Sequence, residues 1–286
     1  MAFIWWEESA SERALRLLTG HLSKLHDVKA RCIAIDNSGS CPTEIEGVQV
    51  IQGDNSLHEF SGWQRAVDLH RRDPPDLWIF ANERFPAYPV PYVESLSGPV
   101  LRFVQSTSGL WGKIDRFPTP TFSFGLEINS WITTCFFVIS NSALQRLGGL
   151  VSLSEEDFDA LVPLEFPSGS GFFNPGAPVD PQHARYLQNW LSPEEPTALS
   201  DRWRGAAAGA GAWPSTRAKL RSVLNEQLLS ARARSQGSPL LPWRITRSLV
   251  RVSNLGAVPR STAELLTRQF PKLPEIGDLA IERRRP

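Results

Sequence analysis

The strongest constraint on this chain is the way short apolar runs alternate with amphipathic segments over its first 80 residues. Ala2–Trp6, Val28–Ile35, Val48–Ile51 and Leu77–Phe80 are apolar stretches of strand length. Between the first two, Ala14, Leu15, Leu18, Leu22 and Leu25 recur at helical spacing, with Ser9 or Ser11 placed to cap the helix. Between the last two, Phe60, Trp63, Ala66 and Val67 mark a second helix, which Asp73-Pro74-Pro75 stops. Strands joined by helical crossovers pair in parallel and need cover on both faces. The expected fold class is therefore α/β, with a mostly parallel sheet between helices. In such sheets ligands bind beyond the C-terminal strand ends. The polar residues at those ends are Asp36-Asn37, Gly53-Asp54-Asn55 and Asn82-Glu83. The same residue types also make turns, so each cluster alone has a second reading.

Further along, Val100–Val104 and Trp131–Ile139 read as later strands. Ser142–Leu147 reads as a short helix ended by Gly148-Gly149. Residues 150–214 are rich in Pro, Gly and Ser and read as irregular, apart from a helix over Pro181–Leu191. The clearest helix spans 215–236, with Leu220, Val223, Leu224, Leu228 and Ala231 as its apolar stripe and Ser215 as its cap. Three segments follow: 1–150 as the ligand-binding α/β domain, 151–240 as a helical and irregular region, and 241–286 as a C-terminal extension.

Formal charge is balanced overall but not along the chain. Residues 1–200 carry an excess of ten acids, and residues 201–286 an excess of ten bases. A basic C-terminal segment can lie on phosphates, on an anionic membrane surface, or against the acidic body of its own chain. No nucleic-acid partner is expected. Cys32, Cys41 and Cys135 show neither CxxC pairing nor metal-ligand spacing, which fits buried thiols in a reducing compartment. No apolar run approaches the length of a membrane span. The start of the chain lacks a basic region followed by an apolar stretch, so it does not read as a secretory signal. The expected location is cytoplasmic, with the basic segment allowing peripheral contact with the inner face of the membrane.

Several motifs resemble those of family 2 glycosyltransferases of the GT-A, Rossmann-like fold. Cys32-Ile-Ala-Ile-Asp36-Asn37-Ser-Gly-Ser resembles that family's nucleotide-recognising second-strand turn. Val50-Ile-Gln-Gly-Asp-Asn55 is similar to the next motif. Pro75-Asp-Leu-Trp-Ile-Phe-Ala-Asn82-Glu83-Arg84 stands where the family has the strand leading to its metal-binding DxD. The run from Trp131 to Gly149 resembles the acceptor-side strand and helix, and His58–Trp63 is similar to polysaccharide-synthesis relatives, including rhamnan synthesis proteins. The resemblance covers residues 28–149.

It implies transfer of a hexose or deoxyhexose from a nucleoside-diphosphate sugar to a glycan or lipid-linked acceptor in polysaccharide biosynthesis, with inversion. Asp36, Asn37, Asn55, Asn82 and Arg84 would bind the nucleotide sugar, and Trp131, Trp203 and Arg204 the acceptor. Glu83 would hold Mg²⁺ or Mn²⁺. The DxD position keeps one acid where two are usual, so Arg84 could instead neutralise the diphosphate without a metal. Two segments compete to supply the general base. Glu226 matches the spacing of the family's E-D-x-D-L-x-x-R-x-x-x-x-G segment through Arg232 and Gly237, and Asp157 lies at about the right distance after Gly149. Glu226 falls about 130° from the apolar stripe of its helix, the side an ordinary helix turns to solvent. A non-catalytic scaffold in a polysaccharide assembly complex is the alternative function.

Overall fold

The computed structural model describes residues 1–88, 90–167, 171–191 and 213–245. Its elements are β1 (Ala2–Trp5), α1 (Glu8–Leu22), β2 (Cys32–Asp36), β3 (Val48–Gln52), α2 (His58–Leu69), β4 (Leu77–Asn82), α3 (Tyr92–Ser95), α4 (Gly98–Ser106), β5 (Leu110–Ser123), β6 (Leu126–Ser140), α5 (Asn141–Leu147), α6 (Glu155–Leu161), α7 (Pro181–Leu191), α8 (Trp213–Ser235) and β7 (Leu240–Pro242).

The strands form one seven-stranded sheet in the order β3-β2-β1-β4-β6-β5-β7. β1, β2, β3 and β4 run parallel, and β7 is parallel to β5. β6 is antiparallel to both of its neighbours. The fold is thus α/β with a mostly parallel, Rossmann-like sheet. β7, at Leu240–Pro242, belongs to the same sheet as the N-terminal strands.

Period-two alternation assigns the side chains to two layers. Phe3, Trp5, Phe136 and Val138 face one side, where α1, α3 and α4 cover them. Ala2, Ile4, Phe137 and Ile139 face the other, against α2, α5 and the C-terminal part of α8. Trp63 of α2 is fully buried there. Its ring lies 5.5 Å from Phe80 and 5.6 Å from both Phe60 and Phe137. A third cluster joins the outer part of the β5–β6 hairpin to α6, α7 and α8.

Three expectations change. Val100–Val104 is helical: Pro99 sits in the first turn of α4, where its missing N–H costs nothing, and Val100, Leu101 and Val104 point inward at helical spacing. β5 is a 14-residue strand that alternation alone does not reveal. Its pairing with β6 shifts register between Gly112 and Ile114 and again between Arg116 and Thr121, and Pro118 and Pro120 fall inside the second shift. Ser9 and Ser11 do not cap α1. Ser11 is buried, and its hydroxyl accepts from the Trp6 amide at 3.2 Å.

α8 departs furthest from a one-sided helix. Besides its apolar stripe it buries Ser222, Asn225, Gln227 and Ser230. Each of three has a partner on another element. The Ser230 hydroxyl accepts from the Ile132 amide at 3.0 Å, and Asn225 Oδ1 accepts from the Ser152 and Leu153 amides at 2.6 and 3.0 Å. Gln227 Oε1 lies 2.7 Å from His183 Nε2. The helix runs through the molecule rather than along its surface. Ser215 lies inside it, two residues past its start, rather than at a cap.

Candidate functional site

The strand order reverses between β1 and β4. The chain winds outward from β1 through β2 to β3, then returns to place β4 on the other side of β1. The crevice outside the C-terminal ends of these two strands is where an open α/β sheet offers a ligand site. Three of the strand-end segments meet there, with the start of α2 as the clamp. Asn37 Nδ2 donates to the His58 carbonyl at 3.0 Å, and Asn82 Nδ2 donates to Glu59 Oε1 at 3.0 Å. The first two residues of α2 therefore tie the end of β2 to the end of β4. Trp6, just past β1, lies 6.3 Å from the His58 ring.

These bonds alter the roles expected of the two asparagines. Asn37 and Asn82 are buried, and both amides are turned into the protein; Asn82 Oδ1 also accepts from the Arg84 amide at 3.1 Å. In this structure both side chains brace the crevice from within. Asp36 is partly committed as well. Its Oδ1 accepts from the Ser38 amide and hydroxyl, both at 3.1 Å, and from the Gly39 amide at 2.8 Å, which closes the turn after β2. Asn55 is exposed on the loop before α2, with φ of 51°.

Gly53 explains why this turn tolerates no side chain. A Cβ there would stand 1.8 Å from Asn37 Oδ1. Gly53→Ala is expected to push the Asn37 amide off His58 and to lower stability by about 1–3 kcal/mol, the usual cost of overpacking. Thermal unfolding would show this as a lower Tm. An unchanged Tm would mean that Asn37 is not held as described.

Glu83 and Arg84 follow β4. The Glu83 carboxylate is nearly covered, with 8% of the side chain exposed against 51% for Arg84, and Arg84 Nε stands 3.4 Å away. Glu83 Oε2 is buried without a hydrogen-bond partner. Burial pushes the Glu83 carboxyl above the ordinary glutamate range, against the pull of its own backbone amide and Arg84.

Glu226 arrives from the opposite side. The last paired position of β4 with β6 is Ala81 with Phe136, and β6 carries Thr134 past the end of β4. Thr134 donates its amide at 2.8 Å and its hydroxyl at 2.6 Å to Glu226 Oε2. Glu226 is thus half-buried on a helix that has almost no solvated side, and not on a free flank. Burial raises its carboxyl above the ordinary value, and Asp115 adds to this, while the Thr134 bonds and Lys219 oppose it. Lys219 also acts on His58, and Tyr88, pushed up mainly by burial, feels both Arg84 and Glu226. On the hairpin, Asp115 holds Lys113 at 2.7 Å and accepts from the Thr133 hydroxyl at 3.0 Å.

The remaining expected residues lie elsewhere. Asp157 caps its own helix: its carboxylate accepts from the Ser154 hydroxyl at 2.6 Å while Ser154 Oγ accepts from the Asp157 amide at 3.0 Å. Trp131 is a core ring of the third cluster, 4.8 Å from Phe117 and 6.2 Å from Tyr186, and so presents no stacking face to an acceptor. Trp203 and Arg204 lie outside the described residues, as does most of the 241–286 extension. The sequence alone assigns no site role to Glu59, Thr134, Lys219, Asp115 or His58. Only the acidic first turn of α2 marks Glu59 locally; Thr134, Asp115 and Lys219 are brought in by the hairpin and α8.

The donor set does not fit a divalent metal. Among the described residues no group of three or more His, Cys, Asp and Glu side chains is placed to hold one. At the DxD position a single carboxylate sits beside a guanidinium, the wrong neighbour for a cation. The thiols remain free, and burial raises the Cys135 thiol to about 12, away from reactivity. Among the described residues no helix is long and apolar enough to cross a membrane.

No family model and no curated protein sequence matches the chain. Among solved structures, a mannosyltransferase from Pyrobaculum calidifontis in complex with GDP-Man and Mn²⁺ matches 98% of this chain and 81% of that chain, at 12% identity and a TM-score of 0.36. A likeness of that degree says nothing about residues or substrate.

A cavity of about 390 Å³ lies at the opposite sheet edge, between Met1, Arg31, Asp73, Pro75, Trp78 and Arg102. The N-terminal strand ends open into it. The crevice at the other edge carries the buried and perturbed acids, which favours it as the chemical site.

Proposed function

We propose that the chain is a glycosyltransferase that takes a nucleoside-diphosphate sugar in the crevice between the C-terminal ends of β1 and β4. What supports this reading is that Glu226, held by Thr134 beyond the C-terminal end of β4, and the Glu83–Arg84 pair that follows β4 lie at the same end of the sheet. The turn after β2, with Asp36, would face the nucleoside. Arg84, on the exposed rim, would pair with the diphosphate and offset the charge that grows as it leaves. The acceptor hydroxyl would attack the anomeric carbon and give its proton to Glu226 as the new C–O bond forms. The old bond would break with its electron pair leaving on the diphosphate, and the configuration would invert. A carboxylate raised by burial is a better base than a solvated one. Membrane contact and a lipid-linked or glycan acceptor belong to the same proposal, through the basic segment beyond residue 245.

Isothermal titration with GDP-, UDP- and dTDP-sugars tests it. At least one donor is expected to bind, with or without Mn²⁺. Asp36→Asn keeps the acceptor oxygen that closes the turn but removes the charge, and Arg84→Ala removes the guanidinium. Each is expected to weaken binding about tenfold or more, the scale of one charge-assisted hydrogen bond. Saturable binding untouched by either substitution would place the donor elsewhere.

A further inference from the structure

Besides Asn37 Oδ1, which faces Gly53, two atoms at the crevice are buried and have no hydrogen-bond partner: Glu83 Oε2 and His58 Nε2. They belong to different elements, β4's exit and α2's first residue, yet share the same neighbours. Both feel Glu59 and Arg84. A buried polar atom without a partner costs about 1–3 kcal/mol, so two in one place need a reason.

The backbone of His58 gives a second, independent sign. Its φ is 48°, in the left-handed region that a non-glycine residue enters at a cost. The conformation is held from outside: Asn37 Nδ2 fixes the His58 carbonyl at 3.0 Å, and the Ser61 hydroxyl donates to the same oxygen at 3.4 Å. Strain held by its surroundings is typical of a residue aimed for a purpose.

The chemistry of the pair selects a ligand class. A carboxylate oxygen accepts, and a neutral imidazole nitrogen can donate. Burial disfavours the imidazolium at His58. A phosphate oxygen only accepts, so it cannot satisfy Glu83 Oε2 and is repelled by it. A hydroxyl does both: it donates to Glu83 Oε2 and accepts from His58 Nε2–H. We propose that His58 and Glu83 together recognise a hydroxyl of the transferred sugar and so determine donor specificity. This rests on the nucleotide-sugar reading above and gives Glu83 a role in place of metal binding.

Calorimetric titration of the full chain with a nucleoside diphosphate and with its matching sugar donor tests the inference. The parent is expected to bind the sugar donor more tightly than the bare diphosphate. His58→Asn suits the left-handed backbone and removes the nitrogen at the Nε2 position. It is expected to leave Tm within about 2 °C and diphosphate affinity within about twofold. The extra affinity for the sugar donor should fall about tenfold, in line with one lost hydrogen bond to a buried partner. His58→Gln, whose amide nitrogen reaches the Nε2 position, should restore part of it. A donor with the hydroxyl replaced by hydrogen should bind the parent and His58→Asn alike. If His58→Asn weakens diphosphate and sugar donor equally, or neither, the inference is overturned while the donor site stands. If the parent binds no nucleotide, the functional reading itself fails.

Discussion

Glu226→Gln is expected to lower kcat by about 10²–10⁴-fold with little change in KM, because a general base acts on the acceptor proton in the transition state and not on donor binding. The substitution is suited to the site. A glutamine oxygen can still accept both Thr134 bonds, so the side chain keeps its place. Its effect on stability should have the opposite sign. The Glu226 carboxyl is raised in the folded state above its ordinary value of 4.5. A carboxyl raised on folding binds its proton more tightly in the native chain, so its contribution to stability is lost as pH climbs from the unfolded value through the folded one. Above that window the parent carries a buried carboxylate that the glutamine variant lacks. Glu226→Gln should therefore melt at or above the parent Tm at pH 7–8 and lose that advantage towards pH 4. The parent's kcat should rise with pH along a limb displaced above the ordinary glutamate range, and the variant should lack that limb. A variant that loses activity and also melts lower at pH 8 would mean that Glu226 serves structure rather than catalysis. Thr134→Val, which removes one of the two donors, should raise the Glu226 carboxyl further and shift the same limb upward.

Trp63→Ala should be the most damaging single change to the fold. The ring is fully buried in the layer where α2 meets the sheet, against Phe60, Phe80 and Phe137. Truncating a buried aromatic side chain removes its transfer free energy and leaves a cavity, together about 3–5 kcal/mol. A domain of ordinary stability, about 5–15 kcal/mol, loses about a fifth or more of it. The consequence extends to the crevice. α2 carries His58 and Glu59, and those residues tie β2 to β4 through Asn37 and Asn82. Loosening the helix should therefore weaken donor binding as well as lower the urea midpoint. Trp63→Phe keeps an aromatic body and should recover most of the loss. A Trp63→Ala protein that unfolds at the parent's midpoint would contradict the packing described.

The sheet core was legible in the sequence because its strands are short, apolar and separated by clean helical patterns. β1, β3 and β4 lie where Ala2–Trp6, Val48–Ile51 and Leu77–Phe80 predict them, and β2 takes up the second half of Val28–Ile35. α5 ends at Gly148, whose φ of 71° is the left-handed cap the pattern predicts. Local periodicity failed where tertiary pairing overrides it. β5 alternates poorly because its register shifts twice, and Val-Leu-Arg-Phe-Val at 100–104 suits either a strand or one buried helix face. The candidate site was half legible. Strand-end polar residues pointed to the edge where the crevice lies, but nothing local shows whether such an amide faces outward or, as at Asn37 and Asn82, inward. Glu226 was visible only as a spacing. Its setting depends on α8 being buried on nearly all sides, a property that its polar residues conceal until Ile132, Ser152, Leu153 and His183 are brought against them.

Two regions compete as the place where a ligand binds: the polar crevice at the C-terminal strand ends, and the cavity at the N-terminal ends. Backbone hydrogen exchange of the full chain, with and without a saturating nucleoside-diphosphate sugar, separates them most directly. The expected result is slower exchange over residues 36–40, 53–61 and 82–88, with no change over 27–31, 73–78 and 98–105. Protection confined to the second set, or none at saturation, would contradict the assignment of the donor site.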